Sequence, residues 1–239
     1  MIRALRTPSS GQAPAVRRLD ALVPLDAAAE AALADATERA RTVQQRRELL
    51  SEGAEIAETL LVLDGWAARV RHLPDGRRQI MNFVLPGDLV GLCDQDRPVA
   101  SSTVMALTPM LVCAAPPRGT SRTLDRAYAM SRALEEAHLL AQITRLGRLS
   151  AHERIGDLCL ELNERLEMAG LAHGGRFAIP LTQEVLADAL GLTPVHVNRM
   201  LQQARRAREL SWTGRELVLH DPSALREQVG RPPVRVTTG

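Results

Sequence analysis

Aromatic residues, cysteines and long apolar runs are all scarce in this sequence, and each shortage removes a class of function. The 239 residues include two Trp, two Phe and one Tyr, too few to supply the ring surfaces on which single-stranded bases stack. The three cysteines, Cys93, Cys113 and Cys159, show no CxxC spacing, so they are expected to be reduced structural thiols. No uncharged apolar run reaches the roughly 18 residues of a membrane helix, and no signal-peptide pattern follows Met1, which predicts a cytoplasmic protein without a membrane partner.

The chain is long enough for two domains, and its remaining composition is that of a globular protein. Hydrophobic residues make up 45% of the chain, which is enough for real cores. The formal net charge is only +2, so a nucleic-acid function has to rest on where the arginines lie and not on the total charge. They cluster at Arg199, Arg205, Arg206 and Arg208.

Two short helices joined by a tight turn are predicted from the segment LTQEVLADALGLTPVHVNRMLQQARRAR, residues 181–208. Thr182 can cap the first helix, and Gly191 suits the left-handed turn that ends it. Thr193 can cap the second helix, and Pro194 suits its first position because an N–H is not needed there. This spacing is typical of a helix-turn-helix. The alternative is an ordinary helical hairpin with a solvated outer face.

The second of these helices combines an apolar stripe with a polar face. Val197, Met200 or Leu201, and Ala204 recur at helical spacing and are predicted to face the core. The polar face that remains suits a DNA major groove. The candidate DNA-contacting residues on the two helices are Thr182, Gln183, Thr193, Val195, His196, Asn198, Arg199, Gln202 and Arg205.

Different contacts are expected from these candidates. Arg199 is the candidate base reader, because a guanidinium can donate two hydrogen bonds to O6 and N7 of a guanine. Thr182, Gln183 and Arg205 are expected at phosphates, where a side chain fixes the register without reading sequence. Val195 can offer only apolar contact, for example to a thymine methyl group.

A predicted β-hairpin follows the second helix. The stretch SWTGRELVLH alternates in polarity about a turn at Thr213-Gly214, which is typical of a wing. The residues from Arg176 to Ile179 can supply a strand that pairs with it. The segment from about 176 to 229 therefore resembles a winged helix-turn-helix domain.

Short apolar runs separated by turns fill the chain from Val43 to Ala115. Asp64-Gly65, Asp75-Gly76 and Pro86-Gly87 separate the runs, a pattern typical of an antiparallel barrel or jelly roll. The clearest hairpin turn is Asp75-Gly76, although Pro74 permits a longer loop. A helix is predicted upstream, from Pro24 to about Arg41. Residues 1 to about 18 show no apolar period and are expected to be a mobile arm.

A helical pattern returns after Pro116-Pro117 and lasts to about Ala169. Its broad apolar arc can bury one side in its own domain and the other against a second copy of the chain, so a homodimer is expected. Gly147 is a predicted break, Ser150 with Glu153 a capping box for the next helix, and Gly170 with Gly174-Gly175 a linker. The arc consists of Leu124, Ala127, Met130 or Ser131, Leu134, Ala137, Ala141 and Thr144, with Leu139, Ile143 and Leu146 beside it.

The predicted fold class is α+β. An N-terminal antiparallel β-roll of the jelly-roll type, with flanking helices, precedes a long dimerisation helix and a C-terminal winged helix-turn-helix. The predicted boundaries are 1–18 for the flexible arm, 19–118 for the β-roll, 119–148 for the dimerisation helix and 149–239 for the DNA-binding domain.

This order of elements resembles the Crp/Fnr family of bacterial transcription regulators. The resemblance covers about residues 22 to 229 and is most specific in LPDGRRQIMNFVLPGDLVGL, LSAHERIGDLCLEL and LTQEVLADALGLTPVHVNRMLQ. It implies a homodimer that places two recognition helices in successive major grooves of a palindromic site in double-stranded DNA. It also implies RNA polymerase as a partner.

The resemblance leaves the signal open. Nucleotide-binding members carry a Gly-Glu pair and, later, an Arg followed by Ser or Thr, which hold the ribose hydroxyl and the cyclic phosphate. The corresponding stretch here is GLCDQDRPVASSTV, where Arg97 precedes Pro98 and no glutamate lies between Gly87 and Val104. Hydroxyl groups without a paired cation make a weak phosphate site, so cyclic-nucleotide sensing is not expected. The cofactor is unknown, and the roll either senses an unidentified signal or serves as a scaffold.

Metal and enzyme functions find less support in the sequence. Iron–sulfur members of the family use four cysteines, and three are present here. His72 is the only histidine before Leu134. The roll therefore lacks the histidine ligands that a haem site, another metal site or a cupin-like metalloenzyme would need. No catalytic motif stands out, and a non-enzyme is predicted. A protein-interaction module is a third alternative, but the outward Arg199 and the arginines after it favour DNA.

Overall fold

The computed structural model describes residues 13–93, 95–232 and 234. No helix in these ranges is both long enough and apolar enough to cross a membrane. The helices and strands, in chain order, are α1 (Pro14–Leu22), α2 (Ala27–Glu38), β1 (Arg41–Val43), β2 (Glu48–Leu50), β3 (Leu60–Asp64), β4 (Ala67–His72), β5 (Arg78–Val84), β6 (Leu89–Val90), β7 (Thr103–Ala106), β8 (Met110–Ala114), α3 (Arg122–Arg148), α4 (Ala151–Met168), β9 (Ala172–His173), β10 (Arg176–Ala178), α5 (Gln183–Leu190), α6 (Pro194–Arg206), β11 (Leu210–Thr213), β12 (Glu216–Leu219) and α7 (Pro222–Val229).

Helix α1 corrects the prediction of a mobile arm over residues 1–18. Pro14 begins this helix, since the fixed φ of proline suits the first turn. Leu19 is buried, and the buried Arg18 donates a hydrogen bond to the Gly87 carbonyl at 2.7 Å and pairs with Asp88 at 2.8 Å. The prediction was wrong for residues 14–18 because tertiary packing stabilises a helix too short to stand alone. Residues 1–12 lie outside the described residues, as do 94, 233 and 235–239.

Two four-stranded antiparallel sheets form the predicted roll. Their strand orders are β1-β8-β3-β6 and β2-β7-β4-β5, and Val62 and Val112 of the first sheet share one core with Val84 and Val104 of the second. The predicted hairpin joins β4 to β5 through the loop 73–77, which is longer than a two-residue turn, as Pro74 permits. The roll thus presents β5 at the edge of its second sheet.

Helix α3 follows the predicted apolar stripe in its first half only. Leu124, Ala127, Ser131 and Leu134 are buried, as predicted for that part of the arc. Beyond Leu134 the buried positions are polar, and apolar periodicity cannot reveal a polar core. The buried residues of this second half are His138, Gln142 and Arg145, whereas Ala137 and Ala141 are half-buried and Thr144 is exposed.

A buried network of ion pairs joins α3 to α4 and to the roll. Arg145 pairs with Asp157 at 2.7 Å and with Glu161 at 2.6 Å, and Arg165 pairs with Asp88 at 2.6 Å. The cations of this network are arginines, since the chain contains no lysine, and the planar guanidinium suits such pairs. Burial acts to raise the pKa of Glu161, but neighbouring charges, Arg145 first, outweigh it and lower that pKa to about 2. The Glu161 carboxylate is therefore ionised inside the protein.

The C-terminal region contains the predicted wing and capping box. Strand β10 pairs with β12 as predicted, and the capping box of Ser150 and Glu153 begins α4. Thr213 lies opposite Glu216, so the wing turn is Gly214-Arg215, one residue later than predicted. Gly174-Gly175 is the turn between β9 and β10 and not a linker, because those two strands pair with each other.

Candidate nucleic-acid interface

The turn between α5 and α6 has the predicted geometry. The Thr182 hydroxyl accepts a hydrogen bond from the Val185 N–H at 3.2 Å, and the Thr193 hydroxyl accepts one from the His196 N–H at 3.2 Å. Gly191 ends α5 with a φ of 63°, where a side chain would be strained. The two caps and the glycine fix where each helix begins and ends, and so fix the angle at which α6 leaves the turn.

Helix α6 buries one face and exposes the other. Val197, Met200 and Ala204 are buried, as the helical spacing predicts, while Leu201 is half-buried. These residues join the core that also contains residues of α4 and α5. The opposite face is therefore directed to solvent, with Val195 80% exposed.

The structure brings the predicted site residues together on this outer surface, with one exception. His196 is half-buried, next to the buried Val197, whereas the other candidates are exposed. The hydroxyl groups of Thr182 and Thr193 accept the capping bonds but keep their O–H donors. The exposed candidates are Thr182, Gln183, Thr193, Val195, Asn198, Arg199, Gln202 and Arg205.

The two arginines among the candidates, Arg199 and Arg205, are not paired with other described residues. Within the described ranges, neither Arg199 nor Arg205 makes a side-chain hydrogen bond or an ion pair. Other exposed arginines do pair, as Arg39 does with Asp35 at 2.9 Å. An alternative in which Arg199 serves only an internal ion pair has no support from these contacts.

The surface also contains residues absent from the predicted set. Gln203 and Arg206 line the same face as Val195 and Arg199, and Arg206 follows Arg199 by two helical turns, a spacing that was visible in the sequence. A cleft of about 380 Å³ separates α6 from the wing. Trp212 and Gly214 line that cleft, and no local sequence signal places them beside α5.

Among the described residues of the roll, Arg69 and Arg97 are both paired with carboxylates. Arg69 of β4 donates to the Ser102 hydroxyl at 2.9 Å and pairs with Glu135 of α3. Arg97 lies at the surface, paired with Glu55 at 3.2 Å. The cation beside the Ser102 hydroxyl is thus already neutralised, so the residues present do not fit a cyclic nucleotide.

The cavity next to this ion pair is too small for a nucleotide. Its volume is about 20 Å³, enough for roughly one water molecule. Burial, reinforced by the Arg165 charge, lowers the pKa of His138 beside it to about 4, so this histidine is neutral at neutral pH. The lining includes Arg18, Asp88, Ser131, Glu135, His138 and Arg165.

The cysteines and acidic groups do not assemble a metal site in the described part of the chain. No group of three or more His, Cys, Asp or Glu residues there has the geometry to hold a metal ion. Cys113 and Cys159 are buried, and burial raises the pKa of Cys159 to about 12. Such a thiol is protonated and unreactive at neutral pH.

Comparison with known proteins gives the same two-part architecture. Residues 17–127 match the cyclic nucleotide-binding domain, and residues 153–228 match the Crp-like helix-turn-helix domain. The chain is 31% identical to the nitrogen fixation regulation protein FixK of Azorhizobium caulinodans, over 72% of each chain. It is 28% identical to the transcriptional activator protein FnrL of Cereibacter sphaeroides, over 80% of each chain.

A solved structure extends the likeness to three dimensions. The structure of FixK2 from Bradyrhizobium japonicum superposes with a TM-score of 0.68 and 29% identity, covering 79% of this chain and 95% of that one. The predicted β-roll, long helix and C-terminal helix-turn-helix are therefore confirmed as an arrangement. On the combined sequence and structural likeness, the chain belongs to the Crp/Fnr family of transcription regulators.

Proposed function

We propose that this regulator acts as a homodimer that reads a palindromic site in double-stranded DNA with the outer face of α6. The observation that carries the proposal is that face itself. It is held by two capped helices and a glycine turn, and its arginines have no partner among the described residues. An exposed helical face with unpaired arginines suits a major groove.

Each candidate residue has a distinct role in this proposal. Arg199 reads a guanine through two hydrogen bonds, and Asn198 and Gln202 add contacts to the neighbouring bases or phosphates. Thr182 and Arg205, which both line the cleft between α6 and the wing, bind phosphates. The remaining contacts come from Gln183, Thr193, Val195, His196 and Arg206.

The partner surface for dimerisation is the solvent side of α3. Leu140 and Ile143 are 58% and 68% exposed and lie opposite the buried face of this helix, beside the small Ala133 and Ala137. Large apolar side chains exposed next to small ones form a surface that a second α3 can cover. A two-fold axis along this contact places two copies of α6 on one side of the dimer.

The proposal makes the protein a binding regulator and not an enzyme. It works in the cytoplasm with RNA polymerase as a further partner, and the roll acts as a scaffold or as a sensor of a signal other than a cyclic nucleotide. The family match supports a transcription regulator, and the paired Arg69 argues against the cyclic nucleotide.

The roles of Arg199 and Arg205 can be separated by substitution. Arg199→Ala is expected to relax the preference at one symmetric base pair per half-site, worth about 1–3 kcal/mol of discrimination. Arg205→Ala is expected to weaken binding to all sequences alike and to flatten the dependence on salt. Site selection from a random duplex library, run on both variants and the wild type, measures the first effect, and a salt titration measures the second. An unchanged motif with Arg199→Ala would assign base reading to another residue.

Cyclic AMP is expected to bind the wild type more weakly than about 1 µM, because Glu135 already neutralises Arg69 and the adjoining cavity is small. Isothermal titration calorimetry measures this directly. Glu135→Ala, which releases Arg69 and opens space, is expected to bind the nucleotide better than the wild type. Micromolar or tighter binding by the wild type would contradict the expectation.

A further inference from the structure

The last turn of α5 is held by side chains from other parts of the chain. The final carbonyl groups of a helix lack partners within it. The Gln79 amide of β5 donates to the Asp188 carbonyl at 2.9 Å, and the Gln142 amide of α3 donates to the Ala189 carbonyl at 2.6 Å. Both the roll and the long helix therefore bind the end of the helix that immediately precedes the turn.

An ion pair strengthens this attachment. The Arg78 guanidinium of β5 lies 2.6 Å from the Asp188 carboxylate, and each side chain is 30% exposed. Arg78 and Gln79, which both contact α5, are thus consecutive residues of one edge strand. Together with Gln142 they form a group that we name the α5 clasp.

Gln142 is oriented for its part in the clasp. Its side-chain oxygen accepts a hydrogen bond from the Arg145 guanidinium, which has only donors to offer. The amide nitrogen must therefore point the other way, toward the Ala189 carbonyl. Asp157 and Glu161 hold Arg145 in turn, and Gln142 is buried. An amide fixed in this way resists rotation.

The clasp binds α5 and leaves the reading helix α6 uncovered. Only Gly191 and Leu192 separate the last residue of α5 from Thr193, the cap of α6. Val195, Asn198 and Arg199 stay exposed. Because these contacts leave the outer face of α6 free, they do not block DNA binding. They can instead set the direction of the α6 axis.

We propose that Arg78, Gln79 and Gln142 are positioning residues for DNA recognition, which fix the orientation of α6 relative to the dimerisation helix α3. This rests on the proposed function as a homodimer. Two reading helices fit one palindrome only when their separation matches one turn of DNA, about 34–36 Å. A loosened clasp leaves each α6 able to read a half-site but broadens the separations at which two copies can bind together.

The test uses the full-length protein and three kinds of duplex. These are the palindrome selected by the wild type, the same palindrome with one base pair inserted or removed at its centre, and a single half-site. Gln142→Met removes the amide donor while keeping length and neutrality. Gln45→Met is its control, since the exposed Gln45 amide also donates to a backbone carbonyl, that of Leu107 at 2.8 Å, but lies away from α5.

Gln142→Met is expected to lose about tenfold in affinity for the palindrome, to discriminate less against altered spacing, and to bind the half-site as the wild type does. Gln45→Met is expected to behave as the wild type on all duplexes. Retention of both palindrome affinity and spacing preference in Gln142→Met would overturn the clasp, and so would an equal loss on palindrome and half-site. A wild type without preference for a palindrome would instead overturn the homodimer proposal.

Arg78 provides a second test that does not depend on a buried substitution. Arg78→Ala and Asp188→Ala are each expected to weaken the spacing preference, and the double variant to weaken it no further than either one. Additive effects would show that the two residues act independently and would contradict the clasp, even if Gln142→Met failed to fold.

Discussion

Replacing Arg145 by Met is expected to lower the free energy of unfolding by about 3–5 kcal/mol. The Arg145 side chain is 2% exposed and pairs with Asp157 and Glu161, which are 8% and 4% exposed. The substitution keeps most of the volume but removes the cation that two buried carboxylates share, which leaves Asp157 with Arg231 and Glu161 with Arg165 as the remaining partners. Removing one member of a buried ion pair costs much more than the pair contributes, because the remaining charge cannot return to water.

Urea unfolding at a fixed protein concentration measures the effect, since a dimer's stability depends on concentration. Arg39→Met is the matched control. Arg39 also pairs with an aspartate, Asp35, but the two side chains are 73% and 68% exposed, and such a pair is worth at most about 1 kcal/mol. Equal small losses in the two variants would show that the buried network does not stabilise the fold.

Leu140→Asp is expected to raise the dissociation constant of the dimer at least about 100-fold. The two-fold axis would bring one new carboxylate from each subunit into the apolar contact between the α3 helices, where neither has a cation. Sedimentation over a range of concentrations measures the change. Ala137→Asp and Ala141→Asp act at the margin of this face, and we expect their effects to be in the same direction.

The matched control for Leu140→Asp is Val99→Asp. Val99 is 61% exposed and Leu140 is 58% exposed, so both substitutions place the same charge on a similarly exposed apolar residue. Val99 lies in the roll, away from α3, and its variant is expected to remain dimeric. Dissociation in both variants would point to general destabilisation, and a dimeric Leu140→Asp protein would place the dimer contact elsewhere.

Local sequence signals predicted the helix-turn-helix well. The caps at Thr182 and Thr193, the left-handed Gly191 and the buried Val197 each depend on neighbours within a few residues, so their spacing is written in the sequence. The same holds for the capping box at Ser150. These signals sufficed to identify the helix-turn-helix and most of the exposed candidates on α6.

Long-range packing could not be predicted in the same way. Helix α1 is stabilised by Arg18, which bonds to Gly87 69 residues away, and nothing near Pro14 reveals that contact. The polar core of α3 depends on Arg145 meeting α4. The clasp joins Gln79 to a carbonyl 109 residues along the chain. Each contact depends on how the elements pack, and single-sequence periodicity reports only which residues are apolar.

The most direct measurement of the central claim is selection of binding sites by the wild-type protein from a random duplex library. A homodimer that reads DNA with two copies of α6 predicts two inverted copies of one short motif, with centres about 10–10.5 base pairs apart. Enrichment of a single unpaired motif, or of no motif, would contradict it.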